Sequence, residues 1–190
     1  MTRHLFIKDE MPYDGTQLAP HWIYKNFGIL GDCITAFTGP CHVKLDKMVD
    51  LEDVMGKAHI YSPLMLHFIA EFFGPGLPLT ISLQRLLIVA IKEELEDRAV
   101  PGRITRRGDD LYHIGIADVV RKLTVSIATL STVSGLIHTG VNIHTQGTPV
   151  PAAGLSEMGV DPKPFAEKVM ERFIGEIESM NKAACKVRAL

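Results

Sequence analysis

Cysteine is scarce in this 190-residue chain: Cys33, Cys41 and Cys185 make an odd set with no Cys-x-x-Cys spacing. That excludes a disulfide framework and a thiolate metal knuckle, and it fits reduced thiols in a cytoplasmic protein. Long apolar runs are also lacking. The longest wholly aliphatic one, Leu86 to Ile91, falls far short of the ~20 residues that span a bilayer, and Met1 to Pro12 alternate charged and apolar residues without a signal-peptide core. An excess of one charge sign is missing too: 20 Lys and Arg against 22 Asp and Glu leave −2, so neither a nucleic acid nor an anionic membrane is favoured as partner. No internal repeat or low-complexity tract divides the chain, and Gly and Pro are scattered between elements.

What is present is a 46% apolar composition, enough for one domain over residues 1–190 that buries roughly 70% of the surface it exposes when unfolded. Patterning predicts strands at His4 to Lys8, His21 to Phe27 and Asp32 to Phe37, with Gly28 and Gly31 bracketing a hairpin connection and Cys41 to Leu45 extending the sheet. Asp46, Asp50 and Asp53 fall at i, i+4 and i+7, the spacing of a short helix with one acidic face. Ser62 to Phe73 opens with Ser-Pro and closes on Gly74-Pro75-Gly76, which reads as a buried helix. Thr80 to Asp97 repeats Leu83, Leu86, Leu87, Ala90, Ile91 and Leu95 at helical spacing. Four strands follow, at Arg103 to Arg107, Leu111 to Gly115, Lys122 to Leu130 and Ser134 to His144. Asp161-Pro162 then caps a helix striped with Phe165, Val169, Phe173, Ile177 and Met180. The fold class implied is α+β, a largely antiparallel sheet backed by helices.

Alternation along Lys122 to Ala128 puts Lys122, Thr124, Ser126 and Ala128 on one face and Leu123, Val125 and Ile127 on a core face. On the next strand Ser134, Leu136, His138, Gly140 and Asn142 share a face. A turn centred near Thr132 would set Lys122 opposite Asn142 and Ser126 opposite His138, with Gly140 letting a ligand approach the backbone. One ammonium among small and hydroxyl side chains suits an anionic ligand, and the alternative is a polar face turned to water. Arg103, Arg106 and Arg107 carry guanidinium forks suited to phosphate or carboxylate, or else guard an edge strand. With Arg121 and Lys122 they form a local positive excess opposed by Asp109, Asp110 and Asp118. His67 with Glu71, His138 with His144, and the Asp46, Asp50, Asp53 face are weak metal pairs, and Cys41-His42 lacks a third partner.

The order Arg106-Arg107-Gly108-Asp109-Asp110-Leu111-Tyr112-His113, then Lys122, Ile127 and His138-Thr139-Gly140-Val141-Asn142-Ile143, resembles biotin and lipoate protein ligases over roughly residues 100 to 180. The whole chain, including Tyr13-Asp14-Gly15, His21-Trp22-Ile23-Tyr24, Leu66-His67-Phe68 and Gln84-Arg85-Leu86-Leu87, resembles more closely an uncharacterised archaeal and bacterial family of that fold. The resemblance implies a class II aminoacyl-tRNA synthetase-like architecture, Lys122 as the catalytic lysine, and substrate contacts from Arg103, Arg106, Arg107, Tyr112, His113, Ser126, His138, Gly140 and Asn142. It further implies ATP and Mg as cofactors, a small carboxylic acid held as an acyl-adenylate, and an acceptor protein. The ligase glycine run is here reduced to Gly108, and Ala153 stands where an octanoyltransferase has cysteine. The expected function is therefore a ligase-like binder of a small acid at Lys122. A non-catalytic metabolite- or protein-binding descendant is the alternative, and a metal-dependent hydrolase comes third.

Overall fold

The computed structural model describes residues 2–115 and 118–188. Its main sheet has five strands in the order β1-β2-β3-β8-β7. These are β1 (Arg3–Phe6), β2 (Cys33–Val43), β3 (Ile60–Phe73), β7 (Thr124–Leu130) and β8 (Ser134–His144). A second sheet, ordered β4-β5-β6, is built from Arg103–Arg107, Asp110–Ile114 and Val120–Lys122. The helices are α1 (Trp22–Phe27), α2 (Leu51–Gly56), α3 (Leu77–Asp97) and α4 (Pro162–Lys186). Among the described residues every strand pairing but β1 with β2 is antiparallel, as the order of strand and helix blocks implied, and two isolated parallel bridges join Tyr13 to Cys41 and Lys122 to Ala152.

Two segments differ from the expectation. Ser62 to Phe73 lies within β3, the central strand, not in a helix. Its apolar residues fill both faces because both faces are covered: Leu66, Phe68, Ala70 and Phe72 join the core under α3 and α4. Met65 and Ile69 join a second cluster with Ile23, Phe37 and Tyr13. A strand buried on both sides loses its alternation and mimics a buried helix. His21 to Phe27 is the converse case. β1 and β2 pair in parallel, which a hairpin cannot connect, so the chain crosses over through α1. Gly28 closes that helix at φ 69° and donates its N–H to Tyr24 O.

Lys122 to Leu130 is broken at Leu123, which hands the chain from one sheet to the other. Its N–H donates to Leu111 O and its carbonyl accepts from Asn142 N. The turn into β8 spans Ser131 to Ser134, where the Ser131 hydroxyl oxygen accepts from the N–H groups of Val133 and Ser134. Its centre lies half a residue beyond Thr132, and Ser126 pairs with Thr139 instead of His138. That one-residue slip exchanges the faces. The acidic triplet is likewise divided: Asp46 sits in a separate 3-10 turn, and Asp50 caps α2 by accepting from the N–H groups of Glu52 and Asp53.

Candidate functional site

On the sheet face away from α3 and α4 lies a cavity of about 430 Å³, within the range of small-molecule sites. Met65 of β3, Val125 and Ile127 of β7, and His138 and Asn142 of β8 line it from the sheet. Val43, at the end of β2, adds to that wall, and the Lys47-to-Asp53 segment and Thr148 to Val150 complete the lining. Tyr13 enters because the chain after β1 runs along β2, with Met11 N donating to Thr38 O and Tyr13 N to Pro40 O. Gly39 permits that approach: a Cβ there would stand 1.8 Å from the Met11 carbonyl oxygen.

Lys122 is held from both sides. Its strand pairs with β5, where Tyr112 lies opposite it, while its N–H donates to Pro151 O and its carbonyl accepts from Ala153 N. The ammonium reaches Asp110 Oδ2 at 2.7 Å. Burial pulls the Lys122 pKa down, but the hydrogen bond and charge of Asp110, helped by Tyr112 and Asp53, hold it above its ordinary value. Burial raises the Asp110 carboxyl against the pull of Lys122, with Asp109 adding to the rise. Asp53 is raised by burial and by Asp50.

Behind the cavity wall, reached through Tyr13 and His138, is a group no spacing rule could find. His67 Nδ1 and His138 Nε2 are 3.1 Å apart, and His67 Nε2 is 3.1 Å from Gly39 O. Tyr13 stacks on His138 at 3.7 Å and 9° between planes. Burial drives His67 down to about 3, and burial with the neighbouring His67 lowers His138 as well, so both rings are neutral near pH 7. His138 sits opposite Ile69 and His67 opposite Gly140, which makes the histidines diagonal neighbours across two strands. Only the register brings them together, and the register was not available from local pattern.

The remaining expected residues fall into three groups. Asn142 lines the cavity, and its Nδ2 donates to Lys122 O. Ser126 also lines the cavity, with its hydroxyl bonded to the Thr139 hydroxyl and to Gln84 on α3. Gly140 makes room for a side chain and not for a ligand, since a Cβ there would meet Met65 Cε at 2.8 Å. Arg103, Arg106, Arg107, Tyr112 and His113 do not line the cavity. Arg106 donates to Gly108 O, Arg107 lies 5.0 Å over the Tyr112 ring, and His113 contacts Pro101 O and Arg121. The expected positive excess is therefore reversed: two lysines, Lys47 and Lys122, face five carboxylates, Asp50, Glu52, Asp53, Asp109 and Asp110. Val125 and Ile127, expected in the core, form cavity wall.

Glu71 is far from its expected role beside His67. It accepts from His21 N and from the Ser134 hydroxyl. Among the described residues no three His, Cys, Asp or Glu side chains are grouped to hold a metal ion, and no helix is long and apolar enough to cross a membrane.

A family model described as "Domain of unknown function (DUF366)" matches residues 2–188. An uncharacterized protein of Methanocaldococcus jannaschii is 35% identical over 162 residues, covering 82% of this chain and 70% of that one. Among solved structures, a protein of unknown function from Pyrococcus horikoshi superposes with a TM-score of 0.92 at 43% identity, each chain covered completely. The biotin protein ligase of Aquifex aeolicus in complex with biotin and ATP gives 0.59 at 16% identity, over 93% of this chain and 72% of that one. A lipoate-protein ligase A bound with ATP gives 0.58 at 14% identity, over 94% and 86%. The fold is thus that of the biotin and lipoate protein ligases.

Proposed function

The chain belongs to the DUF366 family of unknown function, and from that premise we propose that it binds a small carboxylic acid, carboxylate toward Lys122 and hydrocarbon along the cavity. One observation carries this reading. An ammonium has three donors, and Lys122 has one carboxylate contact, Asp110, which leaves two donors for a ligand in a cavity that also offers apolar wall. Met65, Val125, Ile127, Val43 and Val150 supply the apolar surface. Each methylene they cover would contribute about 0.8 kcal/mol.

Adenylation of that acid is a separate matter. ATP brings several negative charges, and the cavity meets it with two lysines against five carboxylates. The arginines that would neutralise phosphates are turned to Gly108 O and Tyr112. With that charge balance the lining does not fit the triphosphate of ATP. Reversible acid binding by a ligase-like fold is the function supported best, with an acceptor protein required only if acyl transfer occurs.

Calorimetric titration with octanoate and other short and medium acids, run beside ATP–pyrophosphate exchange, tests the proposal. Binding that Lys122→Met weakens tenfold or more, with exchange at background, is expected. Exchange stimulated by an acid and abolished in Lys122→Ala would establish a ligase instead. Absence of binding by every acid would refute the proposal.

A further inference from the structure

The orientation of the buried histidine pair is fixed by one group that can only accept. Gly39 O is a carbonyl oxygen, so the His67 Nε2 that faces it carries the proton. A neutral His67 then presents a bare Nδ1, which must receive the proton on His138 Nε2. A neutral His138 protonated there is bare at Nδ1. His138 is only 4% exposed, it lines the cavity, and its Nδ1 has no hydrogen-bond partner among the described residues. The chain Gly39 O, His67, His138 therefore ends in a lone pair inside the cavity. Tyr13, stacked flat on His138, keeps the ring from turning.

A lone pair in a cavity rich in carboxylates calls for a donor. We infer that the ligand carries, at the end away from its carboxylate, a protonated amine that donates to His138 Nδ1. This deepens the proposed acid-binding function and rests on it for the carboxylate end. The lining as a whole, five carboxylates against two lysines, favours a ligand with a cationic end over a simple anion. The separation also constrains the ligand. Asn142 N is bonded at the level of Leu123, beside Lys122, and His138 lies four residues back along β8. At about 3.3 Å per residue the two backbone levels are roughly 13 Å apart, a spacing of the same order as the length of a medium-chain ω-amino acid and beyond that of an α-amino acid.

Titration calorimetry on the full chain with octanoate, 8-aminooctanoate and octylamine tests this. The amino acid should bind at least tenfold tighter than octanoate. That preference should vanish in His138→Phe, which keeps the ring stack but removes the acceptor, and the 15N resonance of His138 Nδ1 in the unaltered protein should shift with 8-aminooctanoate and not with octanoate, a readout that stands should the variant misfold. Equal affinity of octanoate and 8-aminooctanoate overturns the amine inference while the acid-binding reading stands. Octylamine binding with no benefit from a carboxylate supports the amine site and overturns the acid-binding reading. Absence of binding by all three overturns both.

Discussion

Asp110→Asn separates two roles that the Lys122 contact combines. The substitution removes a charge 2.7 Å from the Lys122 ammonium, where the side chains are 19% and 32% exposed. A fully buried pair broken on one side costs about 3–5 kcal/mol and an exposed one about 0–1. This half-buried pair should cost about 1–2 kcal/mol of folding stability. Ligand binding should move the other way. A carboxylate taking the two remaining Lys122 donors would lie at about 5 Å from Asp110, a repulsion of about 1–3 kcal/mol for an effective dielectric constant between ~80 and ~20. Removing it should tighten octanoate binding by about tenfold, near the lower end because the ammonium loses its neighbour as well. Urea unfolding and calorimetric titration of the same variant read the two effects. Weaker binding alongside lower stability would refute the reasoning, because Asp110 would then be orienting Lys122 for the ligand instead of competing with it.

The histidine pair makes the fold acid-sensitive. Both rings have folded pKa values below that of the unfolded chain, so the stability they retain above about pH 6.5 is lost as pH falls, by about 1.4 kcal/mol per unit for each ring. Urea midpoints from pH 7 to 4.5 should fall accordingly and flatten in His67→Gln; a flat wild-type profile would contradict the buried neutral pair. Gly39→Ala should cost at least about 2 kcal/mol, since its Cβ would meet Met11 backbone at 1.8 Å; an unchanged urea midpoint would show that the segment carrying Tyr13 can move freely. Cys33 and Cys41 are buried, with burial pushing both thiols up to about 12, and Cys185 is exposed. A thiol reagent at pH 8 should therefore modify one equivalent quickly in the native protein and three after unfolding, and three fast equivalents would place the buried pair at the surface.

Local pattern was sufficient wherever one face of an element meets water. The α3 and α4 stripes and the β4–β5 hairpin around Gly108 could be read directly, because apolar and polar residues alternate with the period of the element. It failed at β3, where core on both sides erased the period, and at α1, where six residues are too few to display one. Residues singled out from the sequence share the cavity, and most of its surroundings were not legible. Lys122 and His138 both line the cavity, but their relation depends on the break at Leu123 and on a turn one residue longer than assumed. The arginines misled because side chains adjacent in sequence on a hairpin point to opposite faces. Charge counted along the chain gave a positive site, while charge counted around the cavity is acidic. Tyr13 and His67 had no local signal, since they reach His138 only through pairing across the sheet.

The most direct measurement is the carboxyl resonance of [1-13C]octanoate titrated with the protein. If the cavity holds the acid against Lys122, the bound resonance should shift from that of the free acid, its carboxyl should titrate below the free value because an ammonium stabilises the anion, and both effects should disappear in Lys122→Met. A resonance and titration identical to free octanoate at saturating protein, or a bound signal unaltered in Lys122→Met, would contradict the account.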